Sequence, residues 1–261
     1  MRQMKSLPLL VLVLVGLPGG CSTARQYRHL DDPPLVIRGV TATVPIAVDV
    51  RNFAGDVIIV VDEQATDVTV RVRREARHGS LRTEEAEAAL ALIHHSSEMV
   101  RNDRGPVLRV RVASSSPEWY FQRAHLQITA PAVSDVHVET TRGRVYATDL
   151  RGEVFITTTE GDVRVMSNFP LRQPVTVLNR DGDIDYRVRG NSGGRFECEA
   201  VGGTISPRMK LGRFVFQPGS RQDLLIGTLN DGENVVQLKT VDANIRIAVV
   251  EQPTAVGYLI R

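Results

Sequence analysis

Asp181-Gly182-Asp183-Ile184 is the clearest copy of a short signature that returns through the second half of the chain. The copies are Gly143-Arg144-Val145, Gly161-Asp162-Val163, Gly182-Asp183-Ile184, Gly203-Thr204-Ile205 and a degenerate Ala243-Asn244-Ile245. Successive copies begin 18 (161 − 143), 21 (182 − 161), 21 (203 − 182) and 40 (243 − 203) residues apart, the last close to two steps of about 20. Such a period is typical of solenoids, in which one structural unit stacks on the next.

Each copy is expected to form a turn followed by a short strand. Glycine accepts the positive φ that such turns need, and the Val or Ile two residues later points inward. Copies stacked at about 4.8 Å form parallel sheets, and five to six rungs of about 20 residues would fill Val136 to Val250. The expected inward residues are Val136, Val138, Val145, Val154, Ile156, Val163, Val165, Val175, Val177, Ile184, Ile205, Val235, Leu238, Ile245 and Ile247. The predicted fold is mainly β, a β-solenoid resembling a parallel β-helix, with a β-sandwich as the alternative.

The composition indicates a folded protein without a nucleic-acid partner. Of the 261 residues, 42% are hydrophobic and 24% are charged, which is ordinary for a folded chain. The 32 basic and 30 acidic residues give a net charge of +2, whereas a nucleic-acid binder needs a one-signed face. The two cysteines are Cys21 and Cys198, and no disulfide within the chain is expected because Cys21 belongs to an export signal. No cofactor is predicted.

Residues 1–20 are predicted to be a signal peptide. Arg2 and Lys5 precede an apolar run from Leu7 to Leu17, which is too short to span a membrane but suits the core of a secretory signal. The run ends in Leu17-Pro18-Gly19-Gly20-Cys21, which resembles the lipobox of bacterial lipoproteins. The resemblance implies lipidation at Cys21, although those proteins usually carry leucine where Pro18 stands. The alternative is an ordinary secretory signal that ends near a cysteine.

The remaining chain divides into three predicted parts after a flexible tether at 21–34. The tether ends in Asp31-Asp32-Pro33-Pro34, and paired prolines resist both helix and sheet. Residues 35–130 form a β-rich portion with an early copy of the signature, Gly55-Asp56-Val57, and one helix at about 83–96 that is expected to cover an open end of the sheet. The repeats occupy 131–250, and 251–261 form a tail.

The repeated turns resemble those of the bacterial putative-adhesin family. The resemblance rests on Glu160-Gly161-Asp162-Val163, Asp181-Gly182-Asp183-Ile184, Gly203-Thr204-Ile205 and Gly55-Asp56-Val57. It implies an exported β-solenoid of unknown function with an interaction role. Arg144 and Thr204 depart from the pattern, since they stand where the family has Asp.

The acidic turns are the first candidate site. Asp181, Asp183 and Asp185 alternate and are expected to share one face of a strand, with Asp162 one rung below Asp183. Such a cluster could bind a hard cation such as Ca²⁺, or could act as a carboxylate pair on a polysaccharide. The alternative is that the column Arg144, Asp162, Asp183 and Thr204 is turn chemistry at one solenoid corner and binds nothing.

Aromatic, histidine and cysteine side chains give weaker candidates. Trp119 and Tyr120 belong to the densest aromatic group and could stack on sugars or enter a membrane interface, although packing in a strand or the core is the favoured interpretation. His94 and His95 are expected on the helix, where adjacent residues cannot grip one metal ion. Cys198 is predicted to pack as a small buried group.

The predicted function is a non-enzymatic adhesion, binding or scaffold role in the cell envelope, outside the cytoplasm. The partners expected are the membrane, through the lipid anchor, and an envelope protein or a glycan. Nucleotide-dependent chemistry is not expected, because that compartment offers little ATP or NAD(P)H. The alternative is a carbohydrate-active enzyme or a carbohydrate-binding module that uses the acidic turns.

Overall fold

The computed structural model describes residues 28–40, 43–78 and 81–255, which form two ten-stranded sheets. Sheet A holds β1 (Arg28–Asp31), β2 (Leu35–Ile37), β4 (Val57–Val61), β5 (Val68–Ala76), β8 (Gln122–Ala130), β10 (Val145–Thr148), β12 (Val163–Ser167), β14 (Ile184–Arg189), β16 (Ile205–Met209) and β20 (Ile245–Val250). Sheet B holds β3 (Ile46–Asn52), β6 (Ile93–Asn102), β7 (Gly105–Ser114), β9 (Val133–Arg142), β11 (Val154–Glu160), β13 (Val175–Asp181), β15 (Gly194–Val201), β17 (Phe214–Phe216), β18 (Leu224–Leu229) and β19 (Val235–Val241). The predicted signal peptide and Cys21 lie outside the described residues.

A rung of the solenoid is one strand of sheet B followed by one strand of sheet A. The rungs stack in the order β7–β8, β3–β4, β9–β10, β11–β12, β13–β14, β19–β20 and β15–β16, and all of these neighbours pair in parallel. The signature glycines lie at the corner where the chain passes from sheet B to sheet A. The mainly β solenoid predicted from the repeat is therefore confirmed.

The rungs do not stack in chain order. Rung β3–β4 lies between β7–β8 and β9–β10, and rung β19–β20 lies between β13–β14 and β15–β16. The interpretation of the 40-residue separation as two steps is wrong, because the intervening chain forms β17 and β18, which pair antiparallel at the edge of sheet B. The Ala243 copy consequently stacks directly on the Gly182 copy.

The first part of the chain is continuous with the repeats. Strand β3 pairs with β9 and β4 pairs with β10, so the stack runs across residue 130 without interruption. The helix α1 spans Thr83–Leu90 and ends before the expected residue 96. Residues 93–102 instead form β6, because they pair in register with all of β7, and a complete ladder outweighs a weak helix propensity.

The core lies between the two sheets and is built from branched aliphatic residues. All the predicted inward residues are buried except Val235, whose neighbour Val236 is buried instead. Ala86, Ala89 and Leu90 of α1 join this core, and α1 contacts β1 and β5 at the edge of sheet A, as expected of a helix that covers an open end. No helix within the described ranges is long and apolar enough to cross a membrane.

Candidate functional site

The second residues of the signature form a hydrogen-bonded column along the corner, here called the corner ladder. In stacking order the ladder is Asp56, Arg144, Asp162, Asp183, Asn244 and Thr204. The backbone N–H of Asp183 donates to Oδ1 of Asp162 (3.0 Å), and the N–H of Asn244 donates to Oδ1 of Asp183 (3.0 Å). The N–H of Thr204 donates in turn to Oδ1 of Asn244 (3.1 Å). These side chains join successive rungs, and Asn244 separates the two residues that chain order would place together.

The ladder begins with an ion pair between Asp56 and Arg144. The backbone N–H of Arg144 donates to Oδ1 of Asp56 and its guanidinium to Oδ2, each at 2.9 Å. Burial alone would raise the pKa of Asp56, but the His125 ring and Arg144 outweigh it and hold the pKa well below its ordinary value. Arg144 therefore neutralises Asp56 on the neighbouring rung.

Glycine is required at this corner by both conformation and space. Gly161 has a φ of +120°, and a Cβ there would lie 2.4 Å from the carbonyl oxygen of Gly143. Gly182 has a φ of +142° and meets the carbonyl oxygen of Gly161 at the same distance. At Gly161 and Gly182 the backbones of successive corners thus approach too closely for any side chain.

A second polar column supports the corner from inside and was missed by the sequence analysis. The side-chain amide of Asn179 donates to the carbonyl oxygens of Gly161 (2.9 Å) and Gly182 (2.8 Å), and Thr240 also donates to Gly182 (2.9 Å). The signal was present, since a polar residue stands three positions before most copies of the signature. These residues are Asn52, Thr140, Thr158, Asn179 and Thr240.

The three aspartates proposed as cation ligands do not share one strand. Asp181 ends β13 and Asp185 lies in β14, because the Gly182 corner turns the chain between them. Asp185 is only 5% exposed and is paired with Arg164 (3.3 Å) and Arg187 (2.7 Å). Within the described ranges, no group of three or more His, Cys, Asp or Glu side chains is placed to hold a metal ion.

Trp119 and Tyr120 are exposed rather than packed in a strand. They lie in the 3₁₀ turn Trp119–Phe121 before β8 and are 38% and 48% exposed. The guanidinium of Arg142 lies 4.8 Å from the centroid of the Trp119 ring. The expected packing in a strand is wrong for these two residues, because β8 begins only at Gln122.

The histidine candidates lie on a strand, and the cysteine candidate lies in the core. His94 and His95 lie on β6 and not on the helix, and His95 Nε2 lies 2.9 Å from Oδ2 of Asp32. Cys198 is fully buried, as predicted, and burial raises the pKa of its thiol to about 12. A thiol with that pKa is a poor nucleophile at neutral pH.

A surface groove of about 720 Å³ lies at the far edge of sheet A and is here called the basic groove. It is formed by β14, β20, β16 and the segment at 251–255. Its charged residues are Asp185, Arg187, Arg208, Lys210, Arg246 and Glu251. Arg187 and Arg246 are paired with Asp185 and Asp183, whereas Arg208 and Lys210 make no ion pair with any described residue.

The outer face of sheet B has no comparable excess of cations. Arg51 pairs there with Glu139 (3.3 Å), and Lys239 pairs with Glu199 (3.3 Å). Arg109 is likewise shared between Glu98 (3.2 Å) and Asp49 (3.8 Å). The small net charge of the chain therefore hides a local concentration of positive charge at the basic groove.

Comparison with known proteins identifies the fold family. Residues 121–248 match the family model Toastrack DUF4097. A putative cell adhesion protein from Clostridium sporogenes ATCC 15579 has a similar structure, with a TM-score of 0.52 and 10% identity over 84% of this chain and 99% of that one. A putative adhesin from Bacteroides fragilis NCTC 9343 aligns with a TM-score of only 0.26 and 11% identity, over 87% of this chain and 99% of that one. No curated protein matches the chain significantly. The match over residues 121–248 confirms the resemblance of this chain to the putative-adhesin proteins.

Proposed function

We propose that this chain is an exported, lipid-anchored protein of the cell envelope that acts by binding and not by catalysis. The observation that carries the non-enzymatic part is the corner ladder, because Asp162 and Asp183 are engaged in hydrogen bonds that join the rungs. The name of the Clostridium sporogenes relative, a putative cell adhesion protein, supports an adhesive role.

The anchor assigned to Cys21 would hold one edge of sheet A close to the membrane. Arg28, the first residue of β1, follows Cys21 by 7 positions (28 − 21). At about 3.3–3.6 Å for each extended residue, the lipidated cysteine would lie at most about 25 Å from β1. The membrane is thus a partner through the lipid, and an envelope protein or a glycan is the expected second partner.

Mass spectrometry of the mature N-terminus tests export and lipidation together. In a bacterial host, the full chain is expected to begin at Cys21, to carry acyl groups there and to fractionate with membranes. A Cys21→Ser variant controls for the anchor and should lose both the acyl mass and the membrane association. An unprocessed N-terminus, or a chain that remains in the cytoplasm, would contradict the proposal.

The non-enzymatic part has its own test. The purified chain is incubated with a panel of neutral and acidic polysaccharides, and new reducing ends are measured. We expect none above the background of a heat-inactivated sample. Cleavage that Asp183→Ala abolishes in a variant that is still folded would establish the carbohydrate-active enzyme instead.

A further inference from the structure

We propose that the basic groove binds an anionic glycan through carboxylate or phosphate groups on its sugars. This inference names a ligand class for the proposed binding function and rests on its location in the cell envelope. Four basic side chains line the groove and only two acidic ones. Asp185 is already paired with Arg164 and Arg187, which leaves Glu251 as the one acidic side chain in the groove without an ion pair to a described residue.

The side chain of Ala248 forms the bottom of the groove between Arg187 and Arg208. Ala248 of β20 is the direct partner of Arg187 on β14 and of Arg208 on β16. Because side chains at paired positions point to the same face, the side chains of Arg187 and Arg208 leave the sheet on either side of Ala248. The guanidinium of Arg187 is held by Asp185 (2.8 and 2.7 Å). Strands are about 4.8 Å apart, so the two arginine backbones lie about 10 Å apart across a floor that only a methyl group occupies.

Three of the four cations in the groove are available to a ligand, because only Arg187 is held by two hydrogen bonds to a buried carboxylate. Arg208 makes no ion pair with a described residue, nor does Lys210, whose backbone N–H donates to Val249 (3.0 Å) and fixes its position beside β20. Arg246 pairs with Asp183 at 3.2 Å, but its side chain is 58% exposed. Guanidinium groups present a fork of donors that matches carboxylate and phosphate oxygens. Arg208, Lys210 and the exposed Arg246 together therefore suit a ligand with repeated negative charges.

The remaining lining favours an acidic sugar chain over a neutral one. Ser206 and Gln252 supply hydrogen-bonding groups suited to hydroxyls, but none of the described lining residues is aromatic. Neutral sugars are commonly recognised by stacking on aromatic rings, which this groove does not offer. Recognition here must therefore come from charge and hydrogen bonds.

The groove also lies at the end of sheet A that is farthest from the proposed anchor. Strand β16 forms one edge of the sheet and β1 forms the other, eight strand intervals away. At about 4.8 Å for each interval, the two edges are about 38 Å apart. A chain held to the membrane near β1 would present the groove to glycans of the envelope.

Binding of fluorescent oligosaccharides to the purified full chain tests this inference. The probes are polygalacturonate oligomers, phosphorylated dextran oligomers and neutral dextran oligomers of the same length. We expect at least one anionic probe to bind at least tenfold more tightly than neutral dextran, and the tighter anionic probe identifies the charged group. Equal binding of all three probes, or no binding of either anionic probe, would overturn the inference.

A matched pair of double variants separates the groove from overall charge. Arg208→Glu with Lys210→Glu is expected to weaken anionic binding at least tenfold, and Arg195→Glu with Lys239→Glu, on sheet B, less than twofold. Both pairs change the net charge equally, so an equal loss in both would contradict the assignment. Circular dichroism checks that each variant is folded. The Cys21→Ser chain should bind the anionic probes as the wild type does. The binding result can therefore be interpreted even if the chain is not lipidated.

Discussion

Gly161 shows at the scale of one residue why the signature contains glycine. Gly161→Ala should destabilise the protein by roughly 3 kcal/mol or more, because it combines a φ of +120° with a Cβ placed 2.4 Å from the Gly143 carbonyl oxygen. Gly219→Ala is the matched control, since its φ is +97° but no atom lies within 4 Å of the added Cβ. Urea unfolding should give a loss of only about 1 kcal/mol for the control. Equal losses would show that the close contact between corners is unimportant.

Asp56 and Glu75 predict how stability depends on pH. Burial raises the pKa of each carboxyl, but His125 and Arg144 around Asp56, and Arg77 and His125 around Glu75, lower both below their ordinary values of 3.8 and 4.5. A depressed pKa in the folded state gives stability that is present above about pH 4–5 and is lost as the pH falls below it. We therefore expect the free energy of unfolding to decrease between about pH 5 and pH 3.

Asp56→Asn should flatten this acid dependence by about 1 kcal/mol, measured as the difference in unfolding free energy between pH 5 and pH 3. Asp103→Asn, at an exposed residue, is the control and should leave the slope unchanged. If Asp56→Asn retained the full slope, the ion pair with Arg144 would not contribute to it.

At the scale of the element, the order of the rungs is the feature that departs most from the sequence. Cross-linking tests it, because Ala248 is paired with both Arg187 and Arg208, whereas those two lie on strands separated by β20. Cysteine pairs at 187 and 248, and at 208 and 248, should oxidise to disulfides, since paired positions lie about 5 Å apart. A pair at 187 and 208 should not, at about 10 Å. The reverse result would restore stacking in chain order.

The parts of the fold that the sequence predicts are those that each repeat encodes locally. The glycine, the inward Val or Ile and the parallel stacking follow from one copy of the signature and its period. The order of the rungs does not follow from it, because every copy carries the same corner. No residue near Gly182 in the sequence indicates which copy stacks on it. The end of α1 was misplaced for the same reason, since β6 exists only through its distant partner β7.

The candidate site shows the same division between local and distant information. Asp181, Asp183 and Asp185 form a cation-binding pattern only if the strand continues through Gly182, and the corner there breaks it. The basic groove could not be predicted, because it joins Arg187, Arg208 and Arg246 from three rungs whose order the sequence does not reveal. The column at Asn179 and Thr240 was predictable, since these residues stand at a constant offset before the signature.

At the scale of the whole molecule, the structure separates a structural corner from a functional surface. The acidic residues that first attract attention stabilise the stack, and the uncompensated cations lie on the outer face of sheet A, away from the proposed anchor. An overall charge near zero is compatible with this arrangement because sheet B neutralises its own charges in pairs. The function proposed for the chain depends on this division.

Unfolding of two variants at Asp183 tests most directly whether the acidic residues of the corner are structural. Asn keeps an oxygen that can accept the backbone N–H of Asn244, as Asn244 itself does for Thr204, whereas Ala removes it. Both variants lose the exposed pair with Arg246, so their difference isolates the ladder bond. We predict that Asp183→Ala is less stable than Asp183→Asn by about 1–3 kcal/mol in urea unfolding. Equal stability of the two variants would contradict a structural role for the acidic corner.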